Sequence, residues 1–191
     1  MSIHSIYDMT YEKTLCFTGH RPDKLGGYNY RTEQNLKMLL KLRALICRYI
    51  ERRGVHTFIS GMALGLDMWS AQIILSLKEK KYPHINLVCA IPCKEQYKKW
   101  SESDIEMWKD IVSKADFVHY VSEEPYTAWC MNKRNEWMVD NSSFVLSVWD
   151  GSSGGTFNCV KYALKRQRTT LNLHPKTLET NFIKTLDNNK K

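Results

Sequence analysis

The sequence contains no run approaching the roughly 20 consecutive apolar residues that a membrane span needs, so no transmembrane segment and no membrane partner is expected. Its start, Met1-Ser2-Ile3-His4-Ser5-Ile6-Tyr7-Asp8, lacks the basic and apolar regions of a secretory signal, and a cytoplasmic location is expected. The six cysteines never form a close CxxC pair, and neither HExxH nor any other metal spacing links them to the histidines. They read as reduced packing residues, and no metal site is expected. Low-complexity linkers and internal repeats are also missing. The chain therefore reads as a single domain with its core at about residues 14–174, and 181–191 read as a short closing helix or tail.

What is present is an ordinary globular composition, 43% hydrophobic and 25% charged, with a formal net charge of +8. The excess is concentrated in two stretches. One holds Lys37, Lys41, Arg43, Arg48, Arg52 and Arg53; the other, residues 161–176, holds Lys161, Lys165, Arg166, Arg168 and Lys176 without one acid. Such a balance fits nucleic-acid contact, attraction of phosphorylated small molecules to a cleft, or simply a solvated basic surface.

Apolar runs and helical periods alternate along the chain. Strands are predicted at residues 14–18, 56–60, 85–90, 117–121, 144–148 and 169–173, and helices at 32–53, about 64–80, 101–113, 128–139 and 156–166. Regular alternation of this kind predicts an α/β protein: a three-layer, Rossmann-like fold with a mostly parallel central sheet covered on both faces. Ligands in such sheets bind beyond the C-terminal strand ends, where the winding reverses.

Three turns fall at that edge. Thr18-Gly19-His20-Arg21 precedes Pro22, so Gly19, His20 and Arg21 sit in a fixed turn where arginine offers a planar fork to a phosphate or carboxylate. Ser60-Gly61-Met62-Ala63-Leu64-Gly65-Leu66-Asp67 combines a small polar residue with two glycines and a helix start. Within it Ser60, Gly61, Gly65 and Asp67 are candidate contacts, with Asp67 suited to ribose hydroxyls or to local amides. Trp149-Asp150-Gly151-Ser152-Ser153-Gly154-Gly155-Thr156 joins flexible backbone, two serine hydroxyls and a helix start, and residues 150–156 are read as a phosphate-binding turn. It has neither the lysine of a Walker A loop nor the GxGxxG fingerprint. Arg134 and Asn135 lie on a predicted helix from which the arginine could reach the same edge; Trp149 is a candidate to stack on a base, and Trp100 with Tyr97 to form a lid beyond Pro92.

In order, Phe17-Thr18-Gly19-His20-Arg21-Pro22, the second turn, Arg134-Asn135 and the third turn resemble the YpsA-like branch of the SLOG superfamily, over about residues 14–174. The resemblance implies relation to the LOG phosphoribohydrolases and to the DNA-processing protein DprA, a bacterial or phage setting, and self-association as a homo-oligomer. It implies first-loop ligand contacts at Gly19 and Arg21, second-loop contacts at Gly61, Gly65 and Asp67, and a phosphate turn at Gly154, Gly155 and Thr156. The LOG turn GGxGTxxE carries a catalytic glutamate, whereas here Thr156 leads to Phe157, Asn158 and Cys159.

The leading functional expectation is binding or sensing of a phosphate-bearing ligand derived from a nucleotide or nucleotide sugar, with no certain cofactor. One alternative is hydrolysis of a nucleotide N-glycosidic bond, for which Asp67 or Glu123 would supply the carboxylate. The other is single-stranded nucleic-acid binding.

Overall fold

The computed structural model describes residues 11–122 and 127–185. Six parallel strands and one antiparallel edge strand form a single sheet: β1 (Thr14–Gly19), β2 (Thr57–Ser60), β3 (Asn86–Ile91), β4 (Phe117–Tyr120), β5 (Phe144–Val148), β6 (Thr169–Leu173) and β7 (Thr180–Ile183). Their order is β4-β3-β2-β1-β5-β6-β7. The chain thus winds outward from β1 in one direction, then crosses back to start again at β5. The winding reverses between the adjacent strands β1 and β5, where Gly19 lies opposite Val148.

Among the described residues five α-helices cover the two faces: α1 (Glu33–Arg53), α2 (Leu66–Lys80), α3 (Glu102–Lys114), α4 (Ala128–Asp140) and α5 (Gly155–Lys165). Local chemistry sets their ends. Thr32, Ser101 and Thr127 each accept a hydrogen bond from an amide in the helix's first turn, and α1 stops at Gly54 in the left-handed region. Alternate strand residues then divide the core. Leu15, Phe17, Phe58, Leu87 and Leu146 pack with Met38, Leu42, Met68, Ile74 and Ile111 of α1–α3. Cys16, Ile59, Val88 and Val145 face Met138, Val139, Cys159 and Ala163 of α4 and α5 on the other side. No helix among the described residues is long and apolar enough to cross a membrane.

One expected element is corrected. Residues 181–183, read as part of a closing helix or tail, belong to β7, with Phe182 paired to Leu171. A four-residue strand has too little length to show its own period, and its order comes from the ladder to β6. Glu123 lies outside the described residues.

The end of β1 comes unusually close to the start of α2. A Cβ on Gly19 would stand 2.0 Å from Leu66 Cδ2 and 2.8 Å from Leu66 Cβ, so only glycine permits this packing. Gly19→Ala is expected to destabilise the fold by about 1–3 kcal/mol through overpacking, read as a lower urea midpoint at unchanged slope. Part of that loss is shared with Leu66. Combining Gly19→Ala with Leu66→Ala is expected to cost less than the two single changes summed, and strict additivity would contradict the contact.

Candidate functional site

A cleft of about 460 Å³ opens at the C-terminal edge of the sheet, where β1 and β5 send their chains apart. Its walls come from four places: the turn after β1, the start of α2, the first half of α4, and the turn leading into α5. Residues distant in sequence meet here because a parallel sheet delivers every strand's C-terminal end to the same side.

His20 ties the two central loops together. Its amide donates to Val148 O at 3.2 Å and its carbonyl accepts from the Leu66 amide at 3.3 Å. Its Nε2 lies 2.7 Å from Asp150 Oδ1. Burial would raise the Asp150 carboxyl, but hydrogen bonds from the Ser152 amide and hydroxyl, together with His20, hold it well below the usual carboxylate range. Ionised Asp150 only accepts, so His20 Nε2 carries the hydrogen of this bond.

The turn after β5 is open on its outer face. Gly151 and Gly154 adopt φ of 91° and 140°, conformations that favour glycine, and a Cβ on Gly151, Gly154 or Gly155 would meet nothing within 4 Å. Gly154 is the N-cap of α5 and has no side chain to accept the helix's first amides. Those amides and the positive end of the helix dipole are directed at the cleft. Lys24 reaches the same turn from the other wall, donating to Ser152 Oγ at 2.9 Å and to Ser153 O at 3.3 Å. Arg21, exposed, stands beside it.

The second glycine-rich turn is built differently, because its glycines are crowded. A Cβ on Gly61 would strike Arg134 Nη1 at 2.1 Å, and one on Gly65 would lie 2.9 Å from His20 O. Fully buried Ser60 donates to Asp67 O at 2.7 Å and accepts from the Met62 amide at 3.2 Å. Arg134 is 5% exposed; its Nη1 donates to Gly61 O and lies 3.5 Å from Asp67 Oδ2, while its Nε donates to Asn135 Oδ1 at 3.0 Å. Burial pushes the Asp67 carboxyl up, opposed by Arg134, the Ala63 amide and Arg21. Asn135 Nδ2 in turn donates to Gly155 O at 3.4 Å, joining α4 to the start of α5.

Of the residues expected at the site, Gly19, His20, Arg21, Asp67, Arg134 and Asn135 line the cleft, as do Ser152, Ser153, Gly154, Gly155 and Thr156. Ser60, Gly61 and Gly65 do not; they hold the loop after β2 against Arg134 and His20. Asp150 and Gly151 do not line the cleft either. Trp149 is turned inward, its Nε1 donating to Ser152 O at 2.7 Å, and is unavailable to stack on a base. Sequence reasoning passed over Asp23, Lys24, Asn132 and Asn158, which also line the cleft. Lys24 lies three residues beyond Arg21 in the same turn, and Asn158 lies one helical turn beyond Gly154 and Gly155, so both were within reach of a spacing argument. Among the described residues no group of three His, Cys, Asp or Glu side chains is arranged to hold a metal ion.

The family model of the YspA SLOG family (YpsA) matches residues 15–183, and the chain belongs to that family. The SPbeta prophage-derived protein YoqJ of Bacillus subtilis is 40% identical over 142 residues, covering 68% of this chain and 82% of that one. A UPF0398 protein of Brevibacillus brevis is 31% identical over 145 residues, covering 75% and 76%. Among solved structures, the fold is shared with DNA processing protein A of Helicobacter pylori, described for its single-stranded DNA binding mode (TM-score 0.57, 14% identity, 86% of this chain and 66% of that one). It is also shared with DprA of Streptococcus pneumoniae (TM-score 0.59, 14% identity, 86% and 51%). The chain thus spans just under two thirds of one of these DprA chains and about half of the other.

Asp150 supports the loop architecture in its ionised form. Because its folded pKa is lowered, its contribution is fully present above the unfolded value of about 3.9 and is lost as pH falls through the folded value. Asp150→Asn is expected to lower stability at neutral pH by about 1.5–3 kcal/mol, the range for a hydrogen bond to a charged group. The gap between wild type and variant, followed by urea unfolding, is expected to narrow below about pH 4. A gap that persists unchanged into acid would contradict an ionised Asp150.

Proposed function

We propose that the cleft receives a phosphate of a nucleotide unit. One observation carries this reading: α5 begins uncapped, behind an open glycine turn, directly across the cleft from Lys24 and Arg21. Backbone amides and a helix dipole stabilise an oxyanion without any titratable partner. Two cations on the facing loop add charge neutralisation. Thr156 and Asn158, on the first turn of the helix, supply polar groups beside the same position.

That unit can be a free nucleotide or one residue of a strand. The strand has independent support: a net charge of +8 and a fold shared with a protein described for its single-stranded DNA binding. Single-stranded nucleic acid is therefore the better supported ligand, and a free nucleotide rests on the cleft alone.

Cleavage of an N-glycosidic bond is supported less. Its candidate carboxylate Asp67 is buried and turned to Arg134 and the Ala63 amide, so it serves loop structure first. The position after Thr156 that carries glutamate in the LOG turn holds no acid here.

Binding is checked by titrating the protein with adenosine 5′-monophosphate and with a fluorescent oligothymidylate of about 12 nucleotides, within the site sizes usual for such grooves. Saturable binding of either ligand, weakened about tenfold by Lys24→Ala, is expected, with the salt slope of strand binding reduced by about 0.7. Retained affinity in Lys24→Ala, or no binding of either ligand, would overturn the phosphate assignment.

A further inference from the structure

A second cavity, of about 660 Å³, opens beside the cleft, and Arg21 and Met131 belong to the walls of both. This annex is formed by the segment after β3, residues 94–100, facing the turn that carries Tyr28. Beyond Trp100 the groove continues past Ser101 and Ser103 at the start of α3, again with Tyr28 and Lys99 in its wall. One track therefore leads away from the α5 amides.

Three features of the annex are those of a nucleotide subsite. Its charge is positive: Arg21, Lys94, Lys98 and Lys99 line it against Glu95 alone, and Glu95 lies 3.3 Å from Lys98 Nζ. It presents aromatic surface, since Tyr28 is 65% exposed and Trp100 is half-buried with one side against the core. It also holds an unmet acceptor. Gln96 is only 8% exposed, its Nε2 donates to Met62 O at 2.8 Å, and its Oε1 is buried with no hydrogen-bond partner among the described residues. The Met62 carbonyl demands a donor, which fixes the orientation of the amide and leaves the oxygen as the unmet end. Buried polar atoms are rarely left in this state, and an N–H arriving from a ligand satisfies it.

We propose that the annex is the subsite for the nucleotide adjacent to the one whose phosphate occupies the α5 cleft, which makes the ligand a single-stranded oligonucleotide of more than one unit. A base stacks on Tyr28 and Trp100, an N–H on its edge reaches Gln96 Oε1, Arg21 holds the linking phosphate at the shared wall, and Lys98 and Lys99 meet the next phosphate. Sequence-tolerant stacking beside a basic track is the general means by which single strands are held. This inference rests on the phosphate reading of the cleft.

The test uses the full chain with the same two probes, adenosine 5′-monophosphate and the labelled oligothymidylate. Tyr28→Ala and the double change Lys98→Ala with Lys99→Ala alter exposed side chains, and thermal unfolding verifies that each variant is folded. Each is expected to weaken strand binding about tenfold or more while leaving mononucleotide binding as in wild type. The double lysine variant is also expected to lower the salt slope of strand binding by about 1.4, or 0.7 for each phosphate contact removed. An abasic strand of the same length is expected to bind wild type and Tyr28→Ala equally. Unchanged strand affinity in folded annex variants overturns the annex while the cleft reading stands. A wild-type protein that binds the mononucleotide but no strand also overturns the annex, and one that binds neither probe overturns both.

Discussion

His20 is the residue on which the site's geometry depends, because three bonds from one side chain and its backbone join three separate segments. Its amide reaches β5 at Val148, its carbonyl takes the first amide of α2, and its ring holds Asp150 in the turn before α5. At a switch point two neighbouring strands send their chains to opposite faces of the sheet, so nothing in the ladder itself fixes how far the two loops stand apart. A charge-assisted bond with its histidine end buried does fix it, and is stronger than a neutral one. Asp150 then passes the constraint on by accepting from the Ser152 amide, which sets the backbone of the glycine turn. Gly19 contributes by absence: with no Cβ, β1 settles onto Leu66 closely enough for the carbonyl of His20 to meet the α2 amide.

A second constraint comes from a charge placed in the interior. Arg134 is nearly inaccessible, and a guanidinium out of water is tolerated only when its donors are satisfied. Gly61 O, Asn135 Oδ1 and Asp67 meet it, and Asp67 is itself desolvated enough to have its carboxyl pushed up. The cluster therefore ties α4 to the β2–α2 turn at close quarters, and Asn135 extends the tie to the carbonyl of Gly155. In this way α4 holds the N-terminus of α5 in position without covering its amides. The polar groups of Arg134, Asp67 and Ser60 are bonded inside the cluster, while the start of α5, Asn132 of α4 and the loop of Arg21 and Lys24 add further polar groups to the cleft wall.

The alternation of periods made the sheet legible, since buried parallel strands such as residues 144–148 are nearly continuous apolar runs, broken there by Ser147 alone, and helices such as 33–53 repeat at 3.6 residues. The three turns were legible as glycine and small polar residues at strand ends. What sequence could not separate was the reason for each glycine. Gly61 and Gly65 look like anion-cradle residues, yet the first is needed for contact with Arg134 and the second for contact with His20 O, partners 73 and 45 positions away in the chain. Met62, between them, takes the left-handed conformation that one would have assigned to a glycine. Trp149 reads as a base platform beside the turn, but its indole N–H finds a closer use in capping Ser152 O. The spacing of Lys24 from Arg21 is legible, but its hydrogen bonds to Ser152 and Ser153, 128 and 129 positions away, appear only when the turn after β5 is brought to it.

Two classes of glycine lead to a physical distinction between the halves of the site. The loop after β2 is already full: its glycines touch neighbours, its serine hydroxyl is used twice and its carboxylate faces arginine. The turn before α5 is full behind and empty in front, with Asp150 bonded to Ser152 on one side and open space over Gly154 and Gly155 on the other. Such a turn is held in shape by its own hydrogen bonds, and a preformed turn spares the ordering cost that a mobile loop incurs on binding. Lys24 meanwhile rests on a serine hydroxyl and a carbonyl, both neutral acceptors. An arriving oxyanion offers that ammonium a charged partner in place of a neutral one, and charge-assisted bonds are roughly twice as strong. The resting contacts of Lys24 therefore hold the cation at the cleft wall on neutral partners alone.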